Sequence, residues 1–199
     1  MKLGAPIVLA SASPRRREIL TTLGVPFDVR PADADESVLV GESAAAYVER
    51  IARAKARIVR GALGEDASRC VVLAADTTVV VDGDILAKPE DDSDAVSMIT
   101  RLQGRSHEVL TGVCSVAVDG TERAAVVRTV VQMRALDADA VRRYVATGEG
   151  RDKAGAYGAQ GIASGFVTAI EGSFLNVIGL PAVETLALLE AAGGVIEWP

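Results

Sequence analysis

The amino-acid sequence predicts an α/β fold in which helices flank a mixed β-sheet. Short apolar runs of strand length alternate along the chain with longer segments of helical periodicity, as is typical of α/β proteins. Two Asp-Gly pairs, Asp82-Gly83 and Asp119-Gly120, each stand between strand-like runs and predict hairpin turns. Hairpins make neighbouring strands antiparallel, so the predicted sheet is mixed. Neither an internal repeat nor a linker interrupts the pattern, and we predict one domain over residues 1–199.

The first half of the chain carries clear start and stop signals for two helices. Pro14 suits the first turn of the first helix, and Gly24 stops it. A longer helix over residues 43–60 starts at Ser43 and is expected to end before Gly61. The strands expected in this half cover residues 6–10, 27–30 and 70–75, the last continuing into 79–81.

The second half is predicted by the same signals. Asp92 or Ser93 is expected to cap one helix, and Asp137 caps another that Gly148 ends. Residues 149–165 are rich in glycine and too long for an idle connection. Helices are expected over residues 93–102 and 181–192, and strands over residues 109–118, 123–133 and 166–170.

Composition limits the classes of function. The chain has 199 residues, 49% of them hydrophobic and 24% charged, which is ordinary for a globular protein. Its formal net charge of −6 argues against a general basic surface for nucleic acid, so an anionic ligand must meet a local cluster of cations or a metal ion. One histidine and two distant cysteines cannot supply a zinc site of the usual spacing.

The N-terminal apolar run is interpreted as a buried strand. It is short, contains Pro6 and leads directly into three arginines, which is atypical of a signal peptide. No stretch is long enough to span a membrane. Cys70 and Cys114 lie in apolar runs and are predicted to be buried, reduced thiols. Together these features predict a cytoplasmic protein that contacts neither membrane nor nucleic acid.

Lys55 is the most unusual charge in the predicted helix over residues 43–60. At 100° per residue it falls in the middle of the apolar arc, whereas the arginines of the helix lie outside that arc. A lysine on a core face costs several kcal/mol of desolvation unless an anion meets it. The alternatives are a snorkelling or salt-bridged lysine and a cation that faces a ligand. In the second case, Lys55→Met should keep or raise stability and weaken ligand binding.

The first helix shows a similar pattern at its N-terminus. Arg16 projects from the face that carries the apolar residues, and Ser11 and Ser13 stand at the junction between the first strand and this helix. Hydroxyls and the free N–H groups of a first helical turn favour phosphate. The alternative for the serines is that they only cap the helix.

Two carboxylates and a further lysine complete the set of candidate residues. Asp76 ends a continuous apolar run, Glu36 lies in an acidic loop, and Lys88 precedes Pro89 after the first hairpin. Carboxylates suited to a hard cation, combined with cations and hydroxyls, indicate chemistry on a polyphosphate with Mg²⁺. The chain lacks the Gly-x-x-x-x-Gly-Lys-Ser/Thr sequence of P-loop proteins.

The sequence resembles the Maf family of nucleotide pyrophosphatases, also called septum formation proteins, over nearly its whole length. The matching segments occur in the same order at the expected spacing. They are Leu9-Ala-Ser-Ala-Ser-Pro-Arg-Arg16, Asp35-Glu36-Ser37, Ala52-Arg-Ala-Lys55-Ala56, Ala75-Asp76-Thr77, Ala87-Lys88-Pro89, Lys153-Ala-Gly-Ala-Tyr-Gly-Ala-Gln160-Gly161 and Asn176-Val-Ile-Gly-Leu-Pro181.

The resemblance implies an elongated, two-lobed fold with a central cleft, similar to that of inosine triphosphate pyrophosphatases. It also implies a dependence on Mg²⁺ or Mn²⁺ and hydrolysis between the α and β phosphates of a nucleoside triphosphate. Asp76 matches the family's proposed proton acceptor. The other site positions of the family are matched by Ser11, Arg16, Glu36, Lys55 and Lys88. We expect Glu36 and Asp76 to hold the metal, and Asp76 to act as base, as metal ligand or as both.

Three positions indicate the branch of the family. Arg15, Thr77 and Gln160 match the branch that acts on dTTP and UTP, whereas the branch acting on 7-methyl-GTP has other residues there. The amide of Gln160 can pair with a carbonyl and the N3–H of a pyrimidine together. Its neighbours Gly158 and Gly161 are expected to let the loop backbone approach the ring.

Three functions are alternatives to a dTTP/UTP pyrophosphatase. A non-catalytic nucleotide sensor linked to cell division would keep the cations but would not need Asp76. A pyrophosphatase for modified nucleotides such as 7-methyl-GTP is a second alternative. A nucleic-acid-binding module would rest on the three consecutive arginines, against which the acidic balance and the few aromatics weigh. By family analogy alone, a homodimer is plausible.

Overall fold

The structure is a computed structural model that describes residues 2–195. The termini of the predicted domain, residue 1 and residues 196–199, lie outside this part of the chain. Within it, no helix combines the length and the apolar character needed to cross a membrane. The helices are α1 (Pro14–Thr22), α2 (Ala44–Ala62), α3 (Asp92–Leu102), α4 (Ala138–Ala146), α5 (Phe174–Ile178) and α6 (Ala182–Ala191). The strands are β1 (Lys2–Leu3), β2 (Ile7–Leu9), β3 (Asp28–Val29), β4 (Val71–Val81), β5 (Asp84–Leu86), β6 (Ser106–Val116), β7 (Glu122–Met133), β8 (Val167–Glu171) and β9 (Gly194–Val195).

The sheet is mixed, as predicted. Its strand order is β3-β2-β4-β6-β7-β8, and β5 pairs with β4. β2 runs parallel to both β3 and β4, whereas β5 is antiparallel to β4 and β8 is antiparallel to β7. Asp82 and Gly83 both have positive φ, the conformation that a tight hairpin requires between β4 and β5. A separate small sheet pairs β1 with β9.

The chain divides into two compact units. The first contains the described residues up to Asp76, Thr111–Val127 and those from Gly179 onward. In its core, α2 packs on β2, β4 and β6 through Ala52, Ala56, Val59, Val72, Ala74 and Cys114. The second unit contains Thr77–Leu110 and Arg128–Ile178, and its core includes Ile99, Leu102, Val131, Tyr144 and Phe166.

Two local predictions are corrected by the structure. Helix α2 continues through Gly61 and ends at Ala62, because the positive φ that terminates it is adopted by Gly64. The cap of α3 is Asp91, whose carboxylate accepts a hydrogen bond from Asp94 N at 2.8 Å, so neither Asp92 nor Ser93 is the cap.

The predicted continuation of the strand over residues 70–75 into residues 79–81 is confirmed, and it places Asp76 inside the strand. This residue lies in the middle of β4, because the strand continues from the apolar run to Val81 without a break. The polar residues Asp76, Thr77 and Thr78 therefore interrupt the apolar pattern of the strand but leave its backbone extended. Asp76 accepts a hydrogen bond from Lys55, and the Thr78 hydroxyl donates to the carbonyl oxygen of Leu86 at 3.4 Å.

Candidate active site

Helix α2 brings Lys55 to its position through close packing on the sheet. Ser43 caps the helix by accepting a hydrogen bond from Ala46 N at 3.2 Å. Gly112 of β6 lies directly beneath it: a Cβ at this position would stand 2.3 Å from the carbonyl oxygen of Val48. Only glycine permits this approach, so the axis of α2 is held close to β6.

Lys55 forms two ion pairs in a buried setting. Its ammonium Nζ lies 2.7 Å from Asp76 Oδ1 and 2.6 Å from Glu36 Oε1, and the residue is 8% exposed. The placement of Asp76 follows from strand alternation, because Val72 and Ala74 face α2 and Asp76 is the next residue on that face. An anion therefore meets the lysine on the apolar arc, and the lysine does not snorkel.

Arg16 and Ser11 form a second buried polar group in the same unit. Arg16 is 8% exposed; its Nη1 donates to Ser11 Oγ at 3.1 Å, and its Nε donates to the carbonyl oxygen of Gly179 at 2.8 Å. Burial lowers the pKa of Arg16, while the charges of Asp76 and Glu36 act in the opposite direction. The guanidinium thus lies within the field of the two carboxylates that pair with Lys55. We call Ser11, Arg16, Glu36, Lys55 and Asp76 the charged cluster.

The junction of β2 and α1 is built differently from a simple serine cap. Ser13 occupies the N-cap position, but its side chain makes no capping hydrogen bond within the described residues. Its backbone N–H instead donates to Ser11 Oγ at 3.2 Å. The Ser11 hydroxyl oxygen therefore accepts from both the backbone and Arg16, and it orients the guanidinium. Arg15 is half-buried next to this group in sequence.

Tyr47 is a participant that the sequence reasoning missed. Its hydroxyl donates to the carbonyl oxygen of Glu36 at 3.0 Å, which ties the acidic loop to α2. Burial, reinforced by the charges of Asp76 and Glu36, raises the pKa of Tyr47 well above its usual value, so the phenol stays a donor. In the sequence Tyr47 is an aromatic residue on the apolar arc, and nothing in that pattern indicates a partner for its hydroxyl.

The remaining predicted site residues lie in the second unit. Thr77 is half-buried in β4, whereas Lys88 and Gln160 are exposed. The segment that carries Lys88 is tied to the glycine-rich loop, residues 149–165, because Gly155 N donates to the carbonyl oxygen of Ala87 at 3.1 Å. The structure thus brings Ser11, Arg16, Glu36, Lys55 and Asp76 together in the first unit. Lys88 and Gln160 belong to connected segments of the second.

The two carboxylates of the charged cluster fit a hard divalent cation. Glu36 and Asp76 each place an oxygen within 2.7 Å of the same ammonium nitrogen, so the two oxygens are close enough together to bind one small cation. Within residues 2–195, no group of three or more His, Cys, Asp or Glu side chains is arranged to hold a metal. Mg²⁺ commonly binds through one or two protein carboxylates and completes its shell with water and substrate phosphates. The cluster suits that mode and does not form a complete cage.

Comparison with known proteins agrees with the resemblance seen in the motifs. The pattern of the Maf family, described as Maf-like protein, matches residues 6–192. A dTTP/UTP pyrophosphatase of Anaeromyxobacter sp. (strain Fw109-5) is 52% identical over 196 residues, covering 96% of this chain and 92% of that protein. A dTTP/UTP pyrophosphatase of Hahella chejuensis is 50% identical, covering 94% and 92%.

A solved structure supports the fold. The Ham1 protein of Staphylococcus aureus superposes with a TM-score of 0.50 at 15% identity, covering 94% of this chain and 96% of that one. At this identity the likeness concerns the fold alone. The family follows from the sequence matches, which extend over almost the whole chain and include every segment that builds the charged cluster. This chain is a member of the Maf family.

Proposed function

We propose that this protein hydrolyses nucleoside triphosphates, dTTP and UTP in particular, to the monophosphate and pyrophosphate. The observation that carries the proposal is the charged cluster. It combines two carboxylates on one buried lysine with a buried arginine held by Ser11. Relatives about 50% identical over nearly the whole chain are named dTTP/UTP pyrophosphatases. We further propose that the two units act as one catalytic domain.

The cluster separates the functions that phosphoanhydride hydrolysis requires. Asp76 is the group proposed to accept a proton from the attacking water, because it is a carboxylate within a mostly apolar strand. Arg16 and Lys55 supply fixed positive charge for the oxygens of the pyrophosphate leaving group. Ser11 and the Gly179 carbonyl hold the Arg16 guanidinium in one orientation before substrate binds, so that little reorganisation is needed.

A divalent metal is proposed to bind Glu36 and Asp76 together with phosphate oxygens. When bound, it would neutralise phosphate charge and increase the acidity of water. Lys55 contacts both carboxylates, so it holds the two acceptor groups together and balances their charge. From the family resemblance, Lys88 is proposed to add positive charge for the leaving pyrophosphate. Arg15, Thr77 and Gln160 are proposed to select the base, and substitution of each residue tests its role.

The proposal is tested by incubating the pure protein with Mg²⁺ and a panel of nucleoside triphosphates and measuring pyrophosphate and monophosphate. We expect dTTP and UTP to be hydrolysed at least about tenfold more efficiently than ATP or GTP, as one or two mismatched hydrogen bonds would dictate. Release of orthophosphate in place of pyrophosphate would contradict cleavage between the α and β phosphates. Tight nucleotide binding without turnover would support a sensor.

Asp76→Asn is the sharpest variant for the catalytic assignment. Loss of a general base alone reduces turnover by ~10² to 10⁴, so kcat should fall at least a hundredfold while the fold is retained. Asp84→Asn is the matched control, since Asp84 is an exposed carboxylate on β5 that pairs with Arg101. Retention of more than about a tenth of wild-type kcat by Asp76→Asn would remove Asp76 from the mechanism.

A further inference from the structure

Glu149 organises the glycine-rich loop from its first residue. Its carboxylate accepts hydrogen bonds from the backbone N–H of Ile162 at 2.6 Å, the N–H of Ala163 at 3.1 Å and the hydroxyl of Tyr144 at 3.1 Å. Lys153 Nζ donates to the carbonyl oxygen of Glu149. One side chain thus satisfies donors from α4 and from the far end of the loop, and it fixes the distance between them.

The glycines of the loop are explained by the same carboxylate. A Cβ at Gly161 would stand 2.2 Å from Glu149 Oε2 and 2.6 Å from its Cδ. A Cβ at Gly158 would stand 3.0 Å from Lys153 Cε and 3.4 Å from Glu149 Oε1, and Gly158 N donates to the Tyr144 hydroxyl at 3.3 Å. The sequence suggested that these glycines make room for a ligand. In the structure they make room for Glu149 and Lys153.

Gln160 lies between these anchored positions. Gly158 and Ala159 before it are buried, and Ala163 after it is buried, whereas Gln160 itself is exposed. Its backbone direction is therefore set on one side by Gly158 N on Tyr144 and on the other by the carboxylate of Glu149 on Ile162 and Ala163.

We propose that Glu149 is a positioning residue for base choice: it fixes the loop so that the Gln160 amide is presented in one orientation. This inference rests on the proposed pyrimidine preference. A carboxylate has two oxygens that can accept all three donors, whereas a glutamine amide has one accepting oxygen and adds two donors of its own. The substitution Glu149→Gln keeps the size of the side chain and removes the pattern of acceptors.

The test compares kcat/KM for dTTP and for GTP in the wild type, in Glu149→Gln and in Glu190→Gln, an exposed glutamate on α6 that serves as the control. We expect the dTTP:GTP ratio to fall at least about fivefold in Glu149→Gln and to stay unchanged in the control. Each single hydrogen bond is commonly worth about this factor or more. An equal loss on both substrates, with the ratio unchanged, would reduce Glu149 to a structural role and overturn the inference.

Action through Gln160 is tested in the Gln160→Ala background. If Glu149 acts by orienting this amide, Glu149→Gln should change the dTTP:GTP ratio little once the amide is gone. An equal fall in both backgrounds would overturn the route through Gln160. Should Glu149→Gln not fold, Tyr144→Phe removes one donor and leaves the carboxylate in place. Tyr144→Phe should lower the dTTP:GTP ratio by a smaller factor than Glu149→Gln, and an unchanged ratio would count against the proposal.

Amide hydrogen exchange separates failure of this inference from failure of the proposed function. Exchange at residues 158–163 should accelerate in Glu149→Gln and remain at the wild-type rate in Glu190→Gln. A wild type without pyrimidine preference would overturn the substrate assignment, and with it the link to base choice. Unaltered exchange in Glu149→Gln, with wild-type preference intact, would overturn the anchoring of the loop and leave the proposed function standing.

Discussion

Replacement of Lys55 by methionine gives the most direct test of the charged cluster. From the sequence alone this change should keep or raise stability, because the position lies on an apolar arc. The structure reverses that expectation, since Lys55 pairs with two carboxylates. Its removal leaves Asp76, 10% exposed at the side chain, without the ammonium that balances its charge. The substitution is therefore expected to destabilise the protein.

The magnitude follows from the exposure of each partner. Breaking a buried ion pair by removing one member costs about 3 to 5 kcal/mol, because a buried charge loses its counter-ion. The pair with Glu36, whose side chain is 40% exposed, contributes at most about 1 kcal/mol. Lys55→Met should thus lower the free energy of unfolding by about 3 to 5 kcal/mol, and Glu36→Gln should lower it by about 1 kcal/mol or less.

Urea unfolding at pH 7, followed by far-UV circular dichroism, measures these differences. The double variant Lys55→Met with Asp76→Asn removes both members of the buried pair and should recover most of the stability lost in Lys55→Met. Strictly additive losses would show that the two residues are not coupled. A Lys55→Met protein as stable as the wild type would refute the claim that this lysine balances Asp76, and would make it a cation that faces only the ligand.

Three further outcomes are expected. Burial lowers the pKa of His107 to about 4, from an ordinary 6.5. As the pH falls below 6.5, His107 is therefore protonated in the unfolded chain but stays neutral in the folded one. The free energy of unfolding should fall between about pH 6.5 and 4 by up to roughly 3 kcal/mol. Urea unfolding measured across this pH range should show that the free energy of unfolding falls less steeply in His107→Gln than in the wild type. The same pH dependence in both proteins would contradict the attribution to His107. Gly112→Ala should lower the free energy of unfolding by about 1 to 3 kcal/mol, because the added Cβ forces α2 away from β6. Gly61→Ala has open space around it and should raise the free energy of unfolding by about 0.5 to 1 kcal/mol. Similar shifts of the melting temperature in both variants would refute the packing argument. Gln160→Glu should lower kcat/KM for dTTP more than for GTP, and an equal loss on both would dissociate Gln160 from base choice.

The elements of the fold that were predicted correctly are those specified by local rules. Ser43 and Asp137 both accept a backbone hydrogen bond three residues later, as helix caps do, and Asp82-Gly83 forms the turn between β4 and β5. The predicted end of α2 and the predicted cap of α3 were wrong because the local signal at each place allows two interpretations. Gly61 is a glycine that the helix tolerates, and Asp91 is one of several neighbouring carboxylates that can cap α3.

The candidate site shows the same division in a sharper form. Lys55 and Arg16 were identifiable because a charge on an apolar face conflicts with local patterning, and such a conflict is resolved only by a buried partner. Glu149 carried no such conflict: a glutamate after a helix-ending glycine is ordinary surface sequence. Its importance arises from backbone donors 13 and 14 residues away, Ile162 and Ala163, which no periodicity links to it. The glycines at 158 and 161 were visible in the sequence, but a missing Cβ does not say which atom occupies the space. A residue that violates a pattern can be found from sequence, whereas a residue that organises a loop of glycines is found only when the contacts that exclude a side chain are seen.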